Sequence, residues 1–311
     1  MHPAFSVIFF TVTSGAGYGL FAITALYQAL AAQQVMSSGQ VLVSCGIALF
    51  LITIGLISST FHLANPKNAW RAFSRVRTSW LAREGLLAIL FYPIAAGYLY
   101  LVWQDMQGVL LNASAILAAV WAVVTIFSTG MIYACLKTIR QWNNALTPVN
   151  YIMLGVMLGS IIFVIIASIG EGMSQGVITT SAYLIAIAAI SKLVYFFWIG
   201  APAGSTINTA TSFTSNMVRL LDVGHTAGTF LTDEFGFEVA RTRLIALRWM
   251  VAVFAFLVPA LMVWLSLASG PVTLAYIVAL LSAFGGVLTE RWLFFAEARH
   301  VVNLYHGSQQ C

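Results

Sequence analysis

The sequence predicts an all-α polytopic membrane protein, a bundle of about eight transmembrane helices with both termini in the cytoplasm. Three observations carry this. Hydrophobic residues make up 60% of the chain and charged residues 7%, whereas a soluble domain is roughly a quarter charged. The 311 residues fall into eight apolar runs, each close to the roughly 20 residues that a helix needs to cross a hydrocarbon layer about 30 Å thick. Basic residues, finally, are confined to every second link between the runs.

The first run, Phe5–Ala32, begins without a basic n-region, a twin-arginine pair or a small-residue cleavage site, and so reads as a retained helix. It contains Ser14-Gly15-Ala16-Gly17-Tyr18-Gly19. Small residues at helical spacing let neighbouring helices approach closely, and at Gly15 they leave room for a flat ligand beside Tyr18. The likeness to a dinucleotide-binding loop is superficial, because no strand precedes it. Runs two and three, Val41–Leu63 and Leu86–Trp103, flank the most polar link in the chain. Runs four to eight are Ala113–Leu136, Tyr151–Gly170, Ile178–Ile199, Trp249–Ala268 and Val272–Phe294. Lys192 is the one basic residue within a span, about eight residues from its end, or roughly 12 Å. Snorkelling to the surface is its default reading; pairing with Glu290 or a place near a proton path are the alternatives.

The links after runs one, three, five and seven hold no Lys or Arg. The others, with the end of the last helix, hold thirteen of the fourteen basic residues. Because cytoplasmic loops retain Lys and Arg, those links and both termini face the cytoplasm. The net charge of +5 is explained by topology and lipid headgroups, not nucleic-acid binding. The whole chain, 1–311, reads as one membrane domain whose long loop, about 201–248, suits docking of a cytosolic partner. Three cysteines without a CxxC pair exclude an iron–sulfur, zinc or disulfide framework within the chain. Five histidines, none near mid-span, supply no opposed haem ligands at mid-membrane depth, so no haem is expected.

The segment from His62 to Glu84 brings together one His, one Glu, two Trp and five basic residues at the boundary of spans two and three. A quinone head needs hydrogen-bond partners at its carbonyl oxygens and an exchange of two protons with two electrons. His62 suits the first task and Glu84, at a helix start, the second. Arg71 and Arg75 would stabilise negative charge on a reduced head, with Ser79 or Tyr18 as donors. Plainer roles exist for each residue. His62 can end a helix at headgroup level, the arginines can be topological anchors, and Glu84 can pair with Arg83 or favour the helix N-terminus.

Three stretches, HPAFSVIFFTVTSGAGYGL, FHLANPKNAWRAFSRVRTSWLAREG and RLLDVGHTAGTFLTDEFGFEVARTR, make the chain resemble the anchor subunits of dimethyl sulfoxide reductase-type enzymes, within the polysulfide-reductase-like group of eight-helix quinone proteins. The resemblance implies a bacterial inner-membrane complex of three parts. A catalytic subunit would hold a molybdenum bis-pterin, a ferredoxin-like subunit would hold iron–sulfur clusters, and this anchor would bind ubiquinone or menaquinone. It links the His and Glu bounding the second stretch, here His62 and Glu84, to quinol binding. Cytoplasmic placement of the basic links makes the chain more similar to the membrane-bound sulfite dehydrogenase branch, whose catalytic parts are cytoplasmic. That implies quinone reduction coupled to sulfite oxidation. A quinol-oxidising anchor of a periplasmic reductase is the nearest alternative, and a pure tether or an ion or solute transporter are alternatives of other kinds.

Overall fold

The computed structural model describes residues 4–31, 35–61, 63, 65–169, 173–200, 204–215, 218–222, 227, 229, 235, 241–270 and 272–311, with 241 and 242 as backbone only. His62, on which the sequence argument leans most, and parts of the 201–248 loop, among them 223–226 and 236–240, lie outside the described residues.

Among the described residues, eight helices are long and apolar enough to cross a membrane. They are α1 (Phe5–Leu30), α2 (Ser38–Thr60), α3 (Trp80–Trp103), α4 (Val109–Ala134), α5 (Leu146–Ser168), α6 (Gln175–Gly200), a seventh span over Arg243–Ser269, and α10 (Thr273–Ala296). A short helix, α7 (Ile207–Thr211), lies between the sixth and seventh spans. The seventh span is composite: α8 (Arg241–Val251), a π-helical stretch (Ala252–Leu257), then α9 (Val258–Ser269). Spans of 23–27 residues are roughly 35–40 Å long at 1.5 Å per residue, enough for the hydrocarbon core and part of the headgroup layer.

Several helices start earlier than their apolar runs. Helix α3 begins at Trp80 instead of Leu86, because the Ser79 hydroxyl accepts from the Ala82 amide and caps the first turn. In α2 a capping box, Ser37 with Gln40, does the same. The seventh span gains its first turn from Arg243 and Arg248, residues that a hydropathy reading assigns to the loop.

Helices α1 and α5 form the axis of the bundle: 83% and 72% of their spanning windows are buried, against 28–39% in the other six. Helix α1 packs on α2, α4, α5 and α10, and α5 also carries α6. Small residues permit this. A Cβ on Gly159 would lie 2.2 Å from the Leu20 amide nitrogen, and one on Gly19 2.2 Å from the Gly155 carbonyl oxygen, so the two backbones are in contact there.

The π stretch has a local cause. Val258 donates its amide five residues back to the Val253 carbonyl, and the next residue, Pro259, has no N–H to give to Phe254. The Ser282 hydroxyl of α10 takes its place, donating to the Phe254 carbonyl at 2.8 Å.

Candidate functional site

The basic ends of the spans gather the buried ionisable side chains. Glu84 sits one turn into α3, 6% exposed. It does not pair with its neighbour Arg83. That guanidinium turns outward, donating to the carbonyls of Val76 at 2.9 Å and Arg77 at 2.7 Å, and lies 4.4 Å from the Trp80 ring centroid. The partner of Glu84 comes instead from α4, where the Thr129 hydroxyl donates to Oε1 at 2.5 Å.

Three tyrosines are electrostatic neighbours of this carboxylate: the buried Tyr18 of α1 and Tyr151 of α5, and the half-buried Tyr133 at the end of α4. The Tyr18 hydroxyl is buried and has no hydrogen-bond partner among the described residues, while its ring packs edge-on against Phe91 of α3 at 5.0 Å. A buried, unsatisfied hydroxyl is costly, so it marks a place for a partner that the described residues do not supply. Tyr133 and Tyr151 stack at 5.7 Å within an aromatic cluster that includes Trp142, Phe294 and Phe295.

From Tyr151 the polar group continues across the bundle. The Arg291 guanidinium lies 3.6 Å from the Tyr151 ring centroid and 3.2 Å from Glu290 Oε2, and the other Glu290 oxygen accepts from Lys192 of α6. All three charged residues are buried. Lys192 therefore does not snorkel. Its ammonium is held in the interior between Glu290 and the rings of Tyr195 and Phe196, 4.0 and 4.7 Å away. Arg291 is no surface anchor either: it points inward five residues before α10 ends at Ala296.

Other residues singled out from sequence occupy different positions. Arg71 and Arg75 are exposed on a 3-10 helix, Pro66–Arg75, that precedes α3; no ion pair joins either to Glu84 among the described residues. Phe73 of that helix approaches Gly85, at 3.7 Å from a Cβ placed there, and so covers the first turn of α3. Ser79 uses its hydroxyl as the α3 cap. Gly15 faces α5, where a Cβ would lie 3.7 Å from the Gly155 Cα. Thr129, Tyr133 and Tyr151 were not singled out from sequence. Their signal was weak: polar groups one turn apart on α4, and a tyrosine near the start of α5.

Six spans around two buried ones, with the ionisable groups collected at the basic end, define a multi-pass membrane protein of the anchor type. The sequence profile of the DMSO reductase anchor subunit (DmsC) matches residues 1–296, and the chain belongs to that family. A subunit of the sulfite dehydrogenase of Allochromatium vinosum is 32% identical to it over 332 aligned positions that cover 99% of both chains. The protein is thus a membrane anchor subunit of a molybdoenzyme-type oxidoreductase complex, a family that associates with catalytic and electron-transfer subunits.

Proposed function

We propose that the chain is the quinone-reducing anchor of a sulfite dehydrogenase complex, receiving electrons from sulfite oxidation through an iron–sulfur subunit. The observation that carries this reading is the buried Glu84 carboxylate, held by Thr129, beside the unpartnered Tyr18 hydroxyl. Tyr18 is a donor for a quinone carbonyl and Glu84 an acceptor for the hydroxyl of the reduced head, in a site from which water is largely excluded. The likeness to the A. vinosum protein across 99% of both chains supports sulfite as the electron source. Thirteen of fourteen basic residues at one end of the bundle support a cytoplasmic location for that end, for both termini and for the partner subunits.

Ubiquinone or menaquinone, when bound, supplies a two-electron carrier whose reduction takes up two protons. In this chain Tyr18 Oη donates a hydrogen bond to the head, and the Phe91 ring fixes the direction of that hydroxyl. Glu84 Oε2, free of the Thr129 hydrogen bond, exchanges protons with water at the first turn of α3. The 3-10 helix above, with Phe73 over Gly85, limits that water, and Arg71 and Arg75 add positive charge at its surface. His62, two residues beyond Thr60 in the sequence, is the second head ligand. Residues 1–311 act as one domain, with the 201–248 loop facing the iron–sulfur subunit.

The test uses the assembled complex with two acceptors. His62→Ala and Glu84→Gln should abolish sulfite-dependent quinone reduction and leave sulfite oxidation by a soluble artificial acceptor intact. Unchanged quinone reduction in both variants would remove the site from the proposal; absence of sulfite oxidation from the wild-type complex would remove the substrate. The family match to a DMSO reductase anchor favours, as second reading, a quinol-oxidising direction. That reading predicts quinol-dependent sulfoxide reduction by the same complex.

A further inference from the structure

A furrow of about 260 Å³ opens on the outer face of the bundle between α6 and the seventh span, away from the Glu84 site. Its walls are almost wholly apolar: Leu193 and Phe196 on one side, Ile245, Ala252 and Phe256 on the other. The π stretch shapes it, since Ala252 and Phe256 belong to the widened turns. Such turns recur at functional sites. The volume lies below the roughly 300–1,000 Å³ of sites that enclose a whole small ligand. An extended, flexible chain laid along the furrow fits it better than a compact molecule.

The rim has a different character. Trp249 is exposed beside it and Arg248 lines it, on the same face of α8 as Ile245. Arg248 Nε donates to Glu297 at 2.7 Å, which leaves the terminal nitrogens of a guanidinium that is 35% exposed. Beneath, Lys192 and Arg291 share Glu290. Among the described residues, Lys192, Arg248 and Arg291 thus face two carboxylates, Glu290 and Glu297. An apolar furrow below an electropositive, tryptophan-bearing rim is complementary to a molecule with a hydrocarbon chain and an anionic head.

We propose that this furrow is a specific seat for one anionic phospholipid of the surrounding bilayer, an acyl chain lying against Phe196, Ala252 and Phe256 and the phosphate at Arg248. Its occupant ties α6 to the seventh span at a place where the two meet through a gap.

The experiment uses the full-length protein in detergent, washed and then examined by native mass spectrometry with added phosphatidylglycerol or phosphatidylcholine. One phosphatidylglycerol should remain per chain, with phosphatidylcholine failing to displace it. Ala252→Leu, which fills the furrow and leaves every charge in place, should abolish retention. Arg248→Gln should cut the preference for phosphatidylglycerol about fivefold, the effect of one basic residue near an anionic headgroup, whereas Arg243→Gln, on the opposite face of α8, should leave it unchanged. Equal retention of both lipids, retention that survives Ala252→Leu, or an isoprenoid quinone found in place of the lipid would each overturn the proposal. Should the arginine variants fail to fold, the wild-type competition and Ala252→Leu still decide it.

Discussion

The Thr129 hydroxyl of α4 donates to the Glu84 carboxylate of α3 at 2.5 Å, the one side-chain hydrogen bond this carboxylate receives among the described residues. A hydrogen bond to a charged, buried group contributes about 1.5–3 kcal/mol, so its removal should be felt at whatever step needs the carboxylate in place. Thr129→Val keeps the shape and deletes the donor. We expect quinone-linked turnover to fall about tenfold or more, with turnover on a soluble artificial acceptor unchanged. Thr129→Ser should restore it. Equal turnover on both acceptors in Thr129→Val would separate this hydrogen bond from function.

Lys192, Glu290 and Arg291 give an asymmetric prediction. Glu290 is the shared member, touching Lys192 through one oxygen and Arg291 through the other. Glu290→Gln leaves two buried cations without a counter-charge, and breaking a buried pair in this way costs about 3–5 kcal/mol. Lys192→Met leaves Glu290 paired with Arg291 and keeps the stem that packs against Tyr195 and Phe196. The thermal midpoint in detergent should therefore fall far more for Glu290→Gln than for Lys192→Met. The reverse order would mean that Lys192, not Glu290, organises the group.

The crossings were legible in the sequence because burial in lipid imposes one requirement on every span, a long apolar run. Helix ends were less so. Trp80–Arg83 reads as polar loop, yet Ser79 caps it and Arg83 satisfies the carbonyls of Val76 and Arg77, so the helix continues. Glu84 was legible as a candidate because a carboxylate near a span is rare. Its partner Thr129 was not, because pairing of α3 with α4 depends on how the helices rotate about their axes. The same holds for Lys192. Its distance from the membrane surface suggested snorkelling, and only the tertiary arrangement, in which the long Lys192 side chain reaches across to α10, brings Glu290 within reach.

The contact between α1 and α5 predicts which glycines tolerate a methyl group. A Cβ on Gly159 would meet the Leu20 amide nitrogen at 2.2 Å and the Gly19 carbonyl carbon at 2.3 Å, both backbone atoms at the axis of the bundle. A Cβ on Gly97 of α3 meets nothing within 4 Å. Gly159→Ala should lower stability by about 3 kcal/mol, the upper range for overpacking, whereas Gly97→Ala should be neutral or stabilise through helix propensity. Thermal unfolding of the two variants in one detergent checks this, and equal midpoints would contradict the close approach.

His300 supplies a pH dependence outside the membrane. It precedes a 3-10 helix, Val301–His306, and its Nδ1 accepts from the Val302 amide at 3.0 Å while its ring stacks on Phe235 at 4.8 Å. Burial lowers its pKa from the ordinary value near 6.5. Below that value the unfolded segment binds a proton that the folded segment resists, so the stabilisation is present above 6.5 and is lost as pH falls toward the lower folded value. Protonation also converts Nδ1 from acceptor to donor and removes the cap on Val302. Amide exchange over residues 301–308 should accelerate as pH falls below 6.5, after correction for intrinsic rates. In His300→Asn, whose side-chain oxygen can accept from Val302 without titrating, that acceleration should disappear. Its persistence would assign the effect to another group in the C-terminal segment.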